Sequence, residues 1–297
     1  MKRQLIAMLA AGVSFATVAN AEIVLTDDLS VSGYLDLWAG DYDADGDNSY
    51  TSVAEFELAF SYTTEPAFAV VELSFEGTDD GNGDVSLETA IVGYNFSENL
   101  SVSAGNILSY FGWETYDATG LYQYSYAYRD QSPLYPAYAV GASIDYVTDD
   151  YALGFWAGDA DDGKISLEFM AKYTGIEGVT LFAAYADDPG YESYNFWASY
   201  EVDAFTFAIE YVDVDWAGGM ESEGYLAMVN YAFENAGVTL RYSAQEDNFI
   251  ADDWEQITIS PSYTFTDNLA GLFEISFIDG GLEGADYAWA FELIYTF

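Results

Sequence analysis

The sequence predicts an all-β protein, a closed antiparallel barrel of about sixteen strands, and three observations predict it. Tyrosines recur in one context, each followed by a short polar turn or by the chain end: Tyr62, Tyr94, Tyr146, Tyr173, Tyr200, Tyr231, Tyr263 and Tyr295. Their spacings are 32, 52, 27, 27, 31, 32 and 32 residues, the self-similarity of a repeated supersecondary unit. The segments around them alternate with period two, as strands with two different faces do. Finally, the chain is 51% hydrophobic and 18% aromatic, yet beyond its N-terminal segment no run approaches the roughly 18 apolar residues of a membrane-spanning helix.

The N-terminal segment, residues 1–21, reads as a secretory signal: Lys2 and Arg3, an apolar stretch from Leu5 to Val18, then Ala19, Asn20 and Ala21 as a small-residue cleavage site. Residues 22–297 read as one domain, because no Pro/Gly/Ser-rich linker divides them. Cysteine is absent, so an exported fold must be held by backbone pairing and packing. Histidine is absent too, which excludes Ser-His-Asp and Cys-His catalysis and every His-ligated metal site. With 51 acidic residues against 6 basic ones, close carboxylate pairs arise by chance and carry no catalytic signal. The expectation is a protein that is not an enzyme and needs no cofactor.

Each tyrosine closes a two-faced strand. Before Tyr295, the residues Tyr287, Trp289, Phe291 and Leu293 alternate with Ala288, Ala290, Glu292 and Ile294. After the turn at Tyr200, Phe205, Phe207, Ile209 and Tyr211 alternate with Thr206, Ala208 and Glu210. Eight such hairpins give sixteen strands, each long enough for the roughly 9 to 11 residues a tilted strand needs to cross a bilayer. Aromatics cluster at the short-turn ends as an interfacial girdle would, and short turns alternate with longer acidic connectors, the asymmetry of periplasmic turns and extracellular loops. Closure removes the edges that so much apolar strand would expose. The last strand ends on Leu293, Tyr295 and Phe297, which resembles the terminal signal read by barrel-assembly machinery. These features place the chain in the outer membrane of a Gram-negative bacterium, with lipid and that machinery as partners. A soluble β-sandwich or β-helix is the competing fold. Pro261 sits inside a strand and predicts a bulge or weakened pairing there.

The spacing of 52 between Tyr94 and Tyr146 marks one long loop, Gly112 to Pro136, between the fifth and sixth spanning strands. Its Glu114, Asp117, Tyr122, Tyr124, Tyr126, Tyr128, Arg129 and Asp130 are candidates for a constriction, the alternating tyrosines packing one face on a wall. The preceding "GNILSYFGWETYD", Gly105 to Asp117, and the opening "VSGYLDLW", Val31 to Trp38, are similar to the corresponding stretches of the OmpL-like β-barrel porin family. That resemblance implies a passive outer-membrane pore. Asn106 stands where the family pattern implies a basic residue, and the Pro-Glu-Phe-Gly-Gly stretch of general trimeric porins is missing.

The polar faces predict selectivity. Glu55, Glu57, Asp145, Glu168, Glu210, Glu274 and Glu292 lie opposite the apolar rows, against only Lys172 and Arg241. A wall so biased concentrates cations and repels anions. The predicted function is therefore a cation-preferring diffusion channel for ions and small hydrophilic solutes. The rivals are a substrate-specific channel for sugars or other neutral solutes, with the loop tyrosines as its track, and a non-conducting structural or adhesive barrel. The formal charge of −45 argues against nucleic acid as a partner; association with further copies stays open. In the first outer loop, Asp41, Asp43, Asp45 and Asp47, with Gly46, follow the start of a calcium loop, but the closing Glu is missing, and a solvated acidic loop is the competing reading.

Overall fold

The computed structural model describes residues 22–41, 52–76, 84–114, 116–128, 134–160, 163–248, 253–280 and 287–297. The predicted signal, Asp43, Asp45 and Asp47 of the first loop, and Arg129 and Asp130 of the long loop lie outside them. Sixteen strands close a barrel. They are β2 (Leu29–Asp41), β3 (Ser52–Thr64), β4 (Ala67–Glu76), β5 (Asp84–Asn95), β6 (Leu100–Leu108), β7 (Tyr138–Val147), β8 (Tyr151–Ala160) and β9 (Lys164–Ile176), followed by β10 (Val179–Asp188), β11 (Tyr191–Val202), β12 (Phe205–Trp216), β13 (Met220–Phe233), β14 (Ala236–Asp247), β15 (Trp254–Thr266), β16 (Leu269–Gly280) and β17 (Tyr287–Thr296). Each pairs antiparallel with the next, and β17 returns to β2 with Tyr295 opposite Leu35. A short strand β1 (Ile23–Val24) pairs with β2 at Val31 and Ser30, beyond the point where β17 ends.

The alternation orients every strand. In β17 the exposed Tyr287, Phe291 and Tyr295 alternate with the buried Ala288, Ala290, Glu292 and Ile294. All eight repeat tyrosines point outward, with 38 to 48% of their surface exposed, forming an aromatic ring around one end of the barrel. At the opposite end of the outer face stands a second set: Tyr185 opposite Tyr194 with ring centroids 5.0 Å apart, and Tyr211 opposite Tyr225 at 5.3 Å. Glu192 accepts the hydroxyl of Tyr194, and Glu223 those of Tyr211 and Tyr225.

The seam is held by both chain ends. Phe297 exchanges backbone hydrogen bonds with Gly33 at 2.9 and 3.0 Å and stacks on Phe56 with 6.0 Å between centroids. Phe297 thus extends the β17–β2 ladder by one further pair. At Pro261 the ladder to β16 lapses between Ile259 and Ser262 and resumes in the same register, so pairing weakens without a bulge. Connectors on the tyrosine rim are short, such as Asp203–Ala204, where Asp203 takes the left-handed conformation (φ 53°) that Asp tolerates in turns. On the other rim they range from two residues, Pro189 and Gly190, to the segment 109–137 between β6 and β7.

Candidate functional site

That long segment leaves β6 and enters the barrel, where wall carboxylates receive it. Glu168 on β9 accepts Ser109 Oγ at 3.0 Å and the Tyr110 amide at 3.1 Å, and Asp145 on β7 accepts Tyr110 Oη at 2.7 Å. Asn195 on β11 accepts the Gly112 amide at 3.2 Å. Glu210 on β12 is a hub: it accepts the Trp113 amide at 2.8 Å, Asn195 Nδ2 at 2.7 Å, Tyr128 Oη at 3.1 Å, and the Tyr135 hydroxyl. Farther round, Glu274 on β16 accepts the Ser125 amide at 2.9 Å, and Thr239 Oγ1 donates to the Tyr122 carbonyl at 3.1 Å. A loop carries more backbone N–H groups than it can satisfy alone, and buried ones must find acceptors. Carboxylates projecting inward supply them.

Arg241 on β14 ties the loop down. Its Nη1 meets Glu114 Oε1 and the Ser125 carbonyl, both at 2.7 Å, and its Nη2 meets Ser125 Oγ at 2.8 Å and the Tyr126 carbonyl at 3.0 Å. Glu114 in turn accepts Gln123 Nε2 at 2.8 Å and the Ala127 amide at 2.6 Å. Arg241 is fully buried and Glu114 is 3% exposed. Burial pushes the Glu114 carboxyl above its usual range, while the guanidinium and the Ala127 amide pull it back.

Apolar packing completes the seat. Phe111, Trp113, Tyr128, Leu134 and Tyr135 of the loop form one buried cluster with Met170, Phe182, Val212 and Leu226 of the wall. Two wall glycines make the room. A Cβ at Gly154 would lie 2.7 Å from the Tyr110 ring, and one at Gly224 would lie 2.8 Å from Tyr128 and 2.9 Å from Leu134. Tyr122 and Tyr128 are buried; Tyr124 and Tyr126 are half-buried, the former 5.3 Å from the Trp38 ring and the latter donating to the Tyr116 carbonyl at 2.5 Å.

The loop therefore divides the inward carboxylates. Glu168, Glu210 and Glu274 are 5% exposed or less and hydrogen-bonded to it. Glu292 and Asp36, 2% and 3% exposed, are buried on the neighbouring strands β17 and β2. Lys172 lies with its Nζ 6.0 Å from the centre of the Trp197 ring. On the β3–β5 wall, Glu55 and Glu88 remain part-exposed, with Glu57 between strands at 6% exposure. Asp117 from the loop faces this group; burial, then the charges of Glu72, Glu55 and Glu88, raise its carboxyl to about 7.

Sequence reasoning missed Asp36, Glu72 and Glu88. Strict alternation could have found Asp36, between Leu35 and Leu37, and Glu72, between Val71 and Leu73, but Tyr34 and Trp38 blur the faces of β2. Glu88 is different. The β4–β5 register slips between Val71/Ala90 and Leu73/Leu87, so Glu88 and Thr89 together oppose Glu72. Such a bulge re-aims a side chain against the parity of its strand. Asn106 donates from Nδ2 to the Glu88 carbonyl at the same place. Of the first-loop calcium candidates, only Asp41 is reached, as the final residue of β2.

No family model matches the chain, and no curated protein matches it. Solved structures do. OmpT of Vibrio cholerae superposes with a TM-score of 0.69 over 93% of this chain and 100% of its own, at 13% identity. An anion-selective porin from Comamonas acidovorans gives 0.71 over 91% and 99%, at 13% identity, and Salmonella typhi OmpF, in a complex with daunomycin, 0.69 over 93% and 100%, at 15%. At such identities the likeness speaks for architecture alone, and the architecture of this chain is the sixteen-stranded fold of outer-membrane porins.

Proposed function

We propose that the protein is a passive pore of the Gram-negative outer membrane that prefers cations and admits ions and small hydrophilic solutes. The observation that carries this reading is the division of the lumen by the long loop. The loop meets Asp145, Glu168, Glu210 and Glu274 on the wall from β7 to β16, whereas Glu55, Glu57, Glu72 and Glu88 converge on the β3–β5 side, where the loop adds Asp117. Among the described residues the basic side chains are Lys164, Lys172 and Arg241, none on β2 to β7. Negative charge confined between low-dielectric walls raises local cation concentration. The fold does not set the sign, since the anion-selective porin from Comamonas acidovorans shares it; residues on the wall do. The similarity of Gly105 to Asp117 and Val31 to Trp38 to the OmpL-like family agrees with a passive pore. In this reading transport uses no covalent chemistry, and lipid and the assembly machinery that reads Leu293, Tyr295 and Phe297 are the partners, with further copies of the chain as candidates.

Recording refolded protein in a planar bilayer under a potassium chloride gradient tests the proposal. A steady current with a cation-signed reversal potential supports it; an anion-signed potential rejects the selectivity. A second reading, a non-conducting structural barrel, draws on the near-complete burial of inward residues from β14 to β17, including Thr239, Arg241, Thr258, Ser260 and Ala290 at 0% exposure. Silence from a folded, inserted barrel selects it. Saturable block by a neutral sugar would instead favour the substrate-specific channel. Calcium at Asp41, Asp43, Asp45 and Asp47 remains a separate proposal, tested by calcium titration of barrel melting.

A further inference from the structure

Of the basic side chains among the described residues, two have evident places: Arg241 latches the loop, and Lys164 stands exposed where β9 begins. Lys172 has no such place. It follows Glu168 and Met170 on the inward face of β9, and it precedes the repeat tyrosine Tyr173. Since the loop is received at Glu168, Lys172 lies on the short-turn side of it. It is half-buried and makes no ion pair or hydrogen bond with any described residue. In a chain of net charge −45, a lumen cation with no carboxylate in contact is unexpected. The Trp197 ring, its centre 6.0 Å from Nζ, stands at the outer limit of a cation–π contact. All three N–H donors of the ammonium are left for another acceptor.

The wall beside the ammonium consists of apolar rings and hydroxyls. Phe182 of β10 is directly opposite Lys172, and Trp197 of β11 is directly opposite Phe182, so the three form one row across three strands. Phe182 and Trp197 stack with centroids 4.8 Å apart and 8° between their planes, and Trp113 of the loop meets Trp197 edge-on at 5.2 Å. The rings are therefore held by the docked loop as well as by the wall. Two residues nearer the short turns, Thr180 and Ser199 oppose each other on the same face, with hydroxyls that no described residue takes up. The next inward position on β11 is Glu201, exposed at the strand end.

We infer that Lys172, Phe182 and Trp197, with Thr180 and Ser199, form a binding site for a small organic monocarboxylate that has an apolar body. The ammonium meets the carboxylate in a charge-assisted hydrogen bond, and the hydroxyls supply further donors. The body of the ligand lies along the two rings, whose faces and edges suit a flat apolar group. One lysine balances one negative charge. A second charge on the ligand would meet Glu201 and the negative field of the whole barrel without a counter-ion. The site stands on the folded barrel alone, whereas its consequence for transport rests on the pore reading: a cation-preferring channel would hold one anion at its short-turn mouth and pass less current while it is held.

Titration of folded, full-length mature protein with benzoate tests the site, read by calorimetry and by tryptophan fluorescence. The expected result is saturable binding with quenching, weakened at least tenfold in K172Q, kept in K172R and unchanged in K164Q. Trp197→Phe should keep the heat of binding and lose most of the quenching, a change that a general charge effect does not produce. Citrate, with three carboxylates, should bind more weakly than benzoate. No saturable binding to folded wild-type protein overturns the inference, as does binding by K172Q equal to that of the wild type. In bilayers, benzoate should reduce the wild-type potassium current and leave that of K172Q unaffected. Benzoate bound by a barrel that passes no current would sink the pore and keep the site.

Discussion

Replacing Arg241 with Met should release the long loop. The guanidinium cannot lose its proton and sits fully buried against Glu114 at 2.7 Å, with three further contacts of 3.0 Å or less to Ser125 and Tyr126. Met keeps much of the volume and removes the charge. Glu114 would then be buried without its counter-ion, a loss of roughly 3–5 kcal/mol in comparable sites, and two loop carbonyls would lose a donor. Spent on loop docking, that loss raises the undocked population by about two to three and a half orders of magnitude. Planar-bilayer recording should show larger, noisier single-channel conductance, and protease should cut the loop in folded barrels. The double variant R241M/E114M removes both charges, so it should recover part of the loss, because a buried pair replaced by apolar groups is far less damaging than a pair broken. Its recovery stays incomplete, as Gln123 Nε2 and the Ala127 amide also depend on Glu114. If the double variant is as permissive as the two single effects added, the latch is not the source of the docking energy and this reasoning fails.

Other perturbations test the seat, the charge and the outer face. Gly224→Val should displace the loop through steric contact, since even its Cβ would meet Val212, Tyr128 and Leu134 at 2.6 to 2.9 Å; greater loop proteolysis with the barrel still folded is the expected readout. Lowering the pH from 8 to 5.5 should reduce cation preference, because the Asp117 carboxyl, raised to about 7 by burial and by Glu72, Glu55 and Glu88, becomes neutral. The same proton should favour the docked state. The carboxyl holds its proton more tightly in place than in the unfolded chain, so stability rises as pH falls through 7 toward the ordinary Asp range, and Asp117→Asn should flatten both profiles. Ile209→Arg, on the outer face where Ile209 is 61% exposed, should cost about 2–4 kcal/mol in urea unfolding from phospholipid if that position lies near the bilayer midplane; no loss would place it outside the hydrocarbon.

The barrel was legible because its signal is periodic and repeated. Eight tyrosines at the ends of two-faced strands fixed strand number, orientation and closure before any contact was known, and Tyr295 and Phe297 made sense only as the last copy. Periodicity ends where the long loop begins. Glu168, Glu210 and Glu274 could be placed on the inward face by parity, but parity cannot say which inward carboxylate meets water and which meets a backbone amide. That depends on a loop entering from β6, and its seat relies on Gly154 and Gly224, whose role is the space they leave. Glu88 shows the other limit: one extra residue in β5 inverts the parity that located every other wall group.

These limits share a cause with the selectivity itself. A barrel of this charge could present carboxylates all around its lumen, which would give a wide and evenly repulsive wall. Instead the loop lies against β7 to β16, where its amides and hydroxyls meet Asp145, Glu168, Glu210 and Glu274 and its own Glu114 meets Arg241. The neutral donors hold those carboxylates in place without cancelling their charge, while the charge of Glu114 is offset by Arg241. Toward the wall of β3 to β5 the loop instead brings a further carboxylate, Asp117, beside Glu55, Glu72 and Glu88. Docking of the loop and the position of the acidic path are therefore one event: freeing the loop should widen the pore and, by uncovering carboxylates opposite Glu57, spread the negative field around the whole circumference.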